Sequence, residues 1–296
     1  MTVGRVTQNM MSQQSLAGMQ AGLGRLSRTQ EQLTTGRIIN RASDDPSGAA
    51  AAMRLRQSVP QQRQYARNAD DGKGWLDQVE TTLGSMADAV RRARELALQG
   101  ANSAALGSQG REALATEVAQ IREGLLASAN TTYLGRPIFG GLTAGAAAYA
   151  PDGTYTGVPG EVLRTVADGV KVRVDVDGPT AFGAAGDAVF DHLDALTTAL
   201  RAGDTTGIGA AIDVLEKDRE QITVTRADAG TRAARLDQAK EAAASAELTL
   251  TSRLSEVENT DLAKATVDLK MQEVAYQAAL AATARVMQPS LLDFLR

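Results

Sequence analysis

The chain has 296 residues, 43% of them hydrophobic but only 3% aromatic, with a formal net charge of −4 and no cysteine. The absence of cysteine excludes disulfide stapling, thiolate catalysis and cysteine-held metals, and the mixed, slightly acidic charge leaves no nucleic-acid footprint. No stretch approaches the roughly 18 consecutive apolar residues of a membrane-spanning helix, so membrane insertion is not expected.

A first helix is expected from about Thr7 to Thr34, stopping at Gly36. Its apolar positions Leu16, Met19, Leu23, Leu26 and Leu33, with Gln30 in step, advance by threes and fours and leave a seam that another helix must cover. A loop then runs from Gly36 through Asn40, Arg41 and Asp44. It ends in a helix start, because Asp45 can cap free backbone N–H groups and Pro46 suits the first helical position. The next helix should cover residues 46–100, disturbed at Pro60 and at Gly72-Lys73-Gly74, with Leu76, Val79, Leu83, Met86, Val90, Ala93 and Ala97 as its seam. Beyond Gly100 and Gly110 a further helix, faced by Leu114, Val118, Ile121 and Leu125, should end near Asn130.

From Leu134 to Gly186 the composition changes, with eleven of the 28 glycines and four of the 7 prolines, which marks a region of turns and strands. Residues 161–166 and 170–176 read as two strands around a turn at Ala167-Asp168-Gly169, the second alternating apolar and charged residues without a fault. Helical spacing returns with Val189, Leu193, Leu196 and Leu200, and again with Ile208, Ile212, Leu215 and Ile222. Nothing firmly stops a helix over residues 206–257, where Leu236, Ala239, Ala243, Ala246, Leu250, Leu254 and Val257 form a seam and Gly230 is the weakest link. A last helix should start from the caps Asn259, Thr260 and Asp261 and end before Pro289. It carries two stripes, Leu262, Leu269, Tyr276 and Leu280 on one side and Val267, Met271, Val274 and Ala278 on another, and so calls for more than one neighbour.

The expected fold is therefore mainly α. Long N- and C-terminal helices pair as an antiparallel, coiled-coil bundle, and a small β domain is inserted in the middle. Residues 1–45 and 258–296 form a terminal helical assembly region, residues 46–133 and 187–257 a helical rod, and residues 134–186 the β-rich insert.

Catalytic candidates are few. His192 is the single histidine and sits in a packed helical pattern, with nothing in the sequence that brings a carboxylate and a nucleophile to it. Gly22-Leu23-Gly24 lies inside an apolar heptad with no strand before it, and Gly72-Lys73-Gly74 lacks the hydroxyl residue of a phosphate loop. Asp175 and Asp177 lack the distant glutamate of an EF-hand and read as a solvated strand end. Asn130-Thr131-Thr132 matches a glycosylation acceptor, a pattern common by chance. Neither a cofactor nor an enzymatic activity is expected.

Three segments carry a family resemblance. Gly36-Arg37-Ile38-Ile39-Asn40-Arg41-Ala42-Ser43-Asp44-Asp45-Pro46-Ser47-Gly48 closely resembles the segment after the first helix of bacterial flagellins and their junction proteins. Arg91-Arg92-Ala93-Arg94-Glu95-Leu96-Ala97-Leu98-Gln99 resembles a further flagellin segment, and Ser252-Arg253-Leu254-Ser255-Glu256-Val257-Glu258-Asn259-Thr260-Asp261 the start of the terminal helix. The segment from Asn130 to Gly141, the insert with Tyr155-Thr156-Gly157, and the ending Pro289-Ser290-Leu291-Leu292-Asp293-Phe294-Leu295 resemble the hook-associated junction branch more than flagellin itself.

The resemblance implies a structural adaptor between hook and filament that supports swimming motility. Its implied partners are a ring of its own copies, the adjoining hook-associated junction protein, flagellin, a cytoplasmic export chaperone and the flagellar export apparatus. The start Met1-Thr2-Val3-Gly4-Arg5-Val6 is no secretory signal peptide and taken alone reads as cytoplasmic. The resemblance instead implies export through the flagellar channel, led by a poorly ordered N-terminus, to the extracellular flagellum at the hook–filament junction. Flagellins are seen by an innate immune receptor at the segment that Arg91–Gln99 resembles; Arg91 and Ala93 depart from the usual residues, and no such recognition is expected. The nearest alternative is a short flagellin that forms the filament itself. A free coiled-coil scaffold is disfavoured by the β insert, and an enzyme by the want of a site.

Overall fold

A computed structural model describes residues 8–102, 107–145 and 147–287. The expected stop at Pro289 and the junction-like ending lie outside the described residues, as do residues 1–7. The fold is mainly α, as expected: α1 (Gln8–Thr35), α2 (Pro46–Ala101), α3 (Ser108–Ala129), α4 (Gly178–Phe182), α5 (Val189–Ala202), α6 (Thr205–Glu258) and α7 (Leu262–Met287). Two short hairpins, β1 (Thr132–Tyr133) with β2 (Arg136–Pro137) and β3 (Leu163–Ala167) with β4 (Val170–Arg173), are the strands among the described residues. The chain divides into two compact units, Met1–Pro60 with Glu247–Arg296, and Gln61–Ala246.

The second unit is organised around the α2 seam. Leu76, Val79, Leu83, Met86, Val90, Ala93 and Ala97 are each at most 1% exposed, so every expected seam position is covered. Val118 and Leu125 of α3, Leu193, Leu196 and Leu200 of α5, and Ile208, Leu215, Ile222 and Leu236 of α6 complete that cluster. Fully burying such a side chain stabilises the fold by about 1.5–3 kcal/mol.

Helix α2 differs from expectation in being continuous. It runs through Pro60, and Gly72 and Gly74 are points of close approach instead of irregularities. A Cβ on Gly72 would lie 2.9 Å from Val174 and 3.1 Å from Leu236, and one on Gly74 would lie 2.5 Å from the Tyr133 hydroxyl. The absent side chains let the β segments sit directly on the helix backbone.

The β3–β4 hairpin turns where the sequence places it, with Leu163 opposite Arg173 and Thr165 opposite Lys171. Its second strand stops at Arg173 and not at Val176, because the chain carries Asp175 inward. The reading of Asp175 and Asp177 as a solvated strand end is overturned here. Asp175 is 0% exposed; its carboxylate accepts the Val162 N–H at 2.6 Å and the Arg173 guanidinium at 2.8 Å. Arg173 also donates to Asp177 at 2.8 Å, so one guanidinium bridges both acids, and its charge-assisted hydrogen bonds make the buried Asp175 carboxylate tolerable.

Phe139, Tyr149, Val162, Val174, Val176 and Phe182, all from the β-rich stretch, lie in the same hydrophobic cluster as Trp75, Leu76 and Leu236. Asn130 anchors that stretch. Its side-chain oxygen accepts the Ala148 and Tyr149 N–H groups, each at 2.8 Å, and its amide donates to the Tyr149 carbonyl at 3.0 Å, so the amide is spoken for and is no open glycosylation acceptor.

Gly72→Ala tests the close approach. Alanine is the better helix former by about 1 kcal/mol. The overlap with the buried Val174 and Leu236 side chains nevertheless makes the variant less stable by about 1–2 kcal/mol, a loss read from chemical denaturation.

Candidate assembly interface

In the first unit, α1 and α7 run antiparallel against each other. Thr29 donates to Gln272 at 3.1 Å, and nearer the start of α1 a Cβ on Gly22 would touch the Tyr276 ring at 3.5 Å. At the far end Thr260 donates its N–H to the Gly36 carbonyl at 2.9 Å. The covered side of α1 holds Met19, Gly22, Leu26, Thr29 and Leu33, and that of α7 holds Ala265, Leu269, Gln272 and Tyr276.

This seam corrects part of the expected one. Met19, Leu26 and Leu33 belong to it, but Leu16 and Leu23 are each 53% exposed. The covered heptad steps through Gly22 and Thr29 instead of Leu23 and Gln30, because glycine admits the Tyr276 ring and the threonine hydroxyl finds Gln272. On α7, Leu269 and Tyr276 are half-buried, while Leu262 and Leu280 lie outside the seam. The second stripe faces away: Val267, Met271 and Val274 are 65%, 62% and 64% exposed. Within one subunit, then, α1 and α7 cover one side of each other.

The loop between α1 and α2 is built from its own side chains. Gly36 takes a φ of +69°, which ends α1 in a left-handed turn. Asp44 accepts the N–H groups of Arg41 at 2.9 Å and Asn40 at 3.3 Å, Asn40 donates to the Arg37 carbonyl at 3.1 Å, and Arg41 pairs with Glu31 at 3.5 Å. Asp45 caps α2 as expected, accepting the N–H groups of Gly48 and Ser47, each at 3.0 Å, with Pro46 the first helical residue. The Gly48 N–H and then the Ser47 hydroxyl hold the Asp45 carboxyl below the usual aspartate range. A depressed acid stabilises the fold above its unfolded-state pKa, so this contribution is present at neutral pH and is lost as pH falls through the native value.

The buried Glu258, 4% exposed at the end of α6, pairs with Arg56 at 2.8 Å and with Arg37 at 3.9 Å. Its carbonyl accepts the Ile38 N–H at 2.7 Å, and Asp261 caps α7 through the Lys264 N–H at 3.1 Å. Sequence reading missed Glu258 as an anchor, because one acid at the end of a long charged helix gives no sign of being buried. Glu258→Ala leaves Arg56 unpaired. With that arginine 46% exposed, the expected loss is about 1 kcal/mol, and brief trypsin treatment should cut first at Arg37 or Arg41.

His192 has company that sequence reading did not foresee. Its Nδ1 lies 2.8 Å from Asp218, because α6 packs beside α5, and its Nε2 lies 3.0 Å from Asp187, just before the start of α5. Burial pushes the Asp218 carboxyl up from its ordinary value. The adjoining cleft, about 360 Å³, is lined by Pro179, Phe182, Val189, Lys217 and Gln221 among others, with no hydroxyl or thiol side chain. Among the described residues no cluster of acidic, histidine or cysteine side chains could hold a metal ion, and no helix is long and apolar enough to cross a membrane.

Residues 6–144 match the bacterial flagellin N-terminal helical region, and residues 212–295 match the bacterial flagellin C-terminal helical region. Flagellar hook-associated protein 3 of Escherichia coli (strain K12) is 30% identical over 241 residues, 79% of this chain and 73% of that one. A flagellin of Halalkalibacterium halodurans is 24% identical over 296 residues, 98% of this chain and 99% of that one. A putative flagellar hook-associated protein from Vibrio parahaemolyticus shares the fold, with a TM-score of 0.67 at 21% identity over 73% of this chain and 100% of that one. Both helical ends that carry the interface fall within the matched regions, and the chain belongs to the bacterial flagellin family.

Proposed function

We propose that the protein is a structural component of the bacterial flagellum, a hook-associated junction protein that connects the hook side to the filament and supports filament assembly for swimming. The observation that carries this reading is the uncovered ridge of α7, where Val267, Met271 and Val274 are all more than 60% exposed on a helix whose other side already rests on α1. A helix apolar on two sides needs a second neighbour, and in a ring of identical subunits the adjacent copy supplies it. In this reading residues 1–45 and 258–296 make the assembly contacts, residues 46–133 and 187–257 form the rod and residues 134–186 a small β-rich insert. Further partners are the adjoining hook-associated junction protein, flagellin, an export chaperone and the flagellar export apparatus, which delivers the chain to the outside of the cell. The part is mechanical, without catalysis.

The junction branch is favoured by 30% identity to hook-associated protein 3 over 79% of this chain, where flagellin reaches 24% over the full length and 30% only over 43% of this chain. The full-length flagellin match, 98% of this chain, supports a short flagellin as the second reading. A deletion strain separates the two. Bare hooks with flagellin shed into the medium are expected. Loss of the filament with no flagellin outside the cell would make this chain the filament subunit instead.

Two substitutions on α7 test the interface. Val274→Asp places a charge on the outward ridge, so purified protein should melt at the wild-type temperature and be exported, yet leave cells non-motile with bare hooks. Leu269→Asp, on the half-buried seam against α1, should lower the melting temperature. Normal swimming with Val274→Asp would refute the ridge as a contact surface.

A further inference from the structure

We infer that the tip of the β1–β2 hairpin is a knob that seats in the cleft beside His192 on a second copy of this chain. Leu134, at the tip, is 81% exposed, the highest value among the large apolar residues described. Its φ is +48°, and no other described non-glycine residue has a positive φ. A lone exposed leucine needs no explanation. A leucine held in a left-handed conformation does, since asparagine, aspartate or glycine would occupy it with less strain.

The hairpin is braced from both sides. The Tyr133 ring meets the buried Trp75 indole edge-on at 5.7 Å, and the Arg136 guanidinium lies 5.8 Å from the same ring. Gly135, the other tip residue, has open space around it. The apolar tip is thus presented already ordered, so little conformational freedom remains to be lost when it is covered.

The socket that fits is on the chain itself. The cleft of about 360 Å³ presents Pro179 and Val214 on its apolar side, backed by the buried Phe182 and Val189, and has room for a leucyl side chain. It holds two carboxylates, Asp187 and Asp218, against one lysine, Lys217, while the knob carries the cation of Arg136. A knob and a socket at different places on identical chains make a head-to-tail contact, which propagates into a ring or filament. The inference rests on the reading of this protein as a self-assembling flagellar part and adds which surfaces meet.

The chain has no cysteine, so Leu134→Cys combined with Val214→Cys reports only on this pair. Mild oxidation of isolated flagella should yield a ladder of disulfide-linked copies, absent from dilute monomer. Assembled flagella that contain the variant but give no ladder would overturn the contact alone. Wild-type protein missing from flagella would overturn the assembly reading and this contact with it. Leu134→Asn relieves the backbone and removes the knob, so the monomer should melt about 2–4 °C higher while swimming is lost. Swimming at the wild-type level with Leu134→Asn would refute the knob.

Discussion

The α2 seam from Leu76 to Ala97, at most 1% exposed at each of its seven heptad positions, is the surface against which the rest of residues 61–246 is assembled. With aromatics only 3% of the chain, it cannot be covered by a few bulky rings and has to be met by other helices and strands at short range. That is why glycine stands at 72 and 74. At those two positions of one turn even a methyl group would collide with Val174, Leu236 or Tyr133. The scarce aromatics are spent together, Tyr149, Phe182 and Phe190 within 6.0 Å of one another, where the β-rich stretch meets α5.

Polar anchors then fix what apolar packing leaves free to slide. Asp175 with Arg173 fixes the end of the β3–β4 hairpin, Asn130 holds the backbone of Ala148 and Tyr149 to the end of α3, and Glu258 with Arg56 ties α6 to α2. A buried partner of this kind adds little net stability when it is satisfied. Losing it costs far more, because the remaining group is stranded away from water. These contacts therefore act mainly on register, deciding which of several similar apolar arrangements is adopted.

The first unit is covered on one side only. Its α1–α7 seam is polar in the middle, where Thr29 meets Gln272, and thin where Gly22 meets Tyr276, so it pairs the helices without consuming their apolar surface. The valines and methionine of α7 remain exposed, the surface proposed above for a neighbouring copy. Such a division suits a subunit that has to hold its own shape and still bind copies of itself.

Much of this was legible in the sequence. Heptad spacing located the helices, Asp45-Pro46 and Asp261 their starts, and Gly36 the end of the first, because capping and periodicity depend on residues within a few turns of each other. The mainly α class followed from the same spacing, and the family from the resemblance of Gly36–Gly48, Arg91–Gln99 and Ser252–Asp261 to flagellin segments. Which side of a helix is covered is a different matter, since two apolar stripes on one helix are equivalent until a neighbour chooses between them. So Leu16 and Leu23 turned outward while Gly22 and Thr29 took the seam. Asp175, read as solvated, is buried because the Val162 N–H meets it from thirteen residues away while the neighbouring Arg173 folds over its charge. Asp218 reaches His192 only once α5 and α6 pack together, where it meets the nearby Asp187 on the same ring. Local periodicity was the sequence's own to determine; the pairing of charges and the choice between faces belong to the tertiary structure, because they depend on residues that only folding brings together.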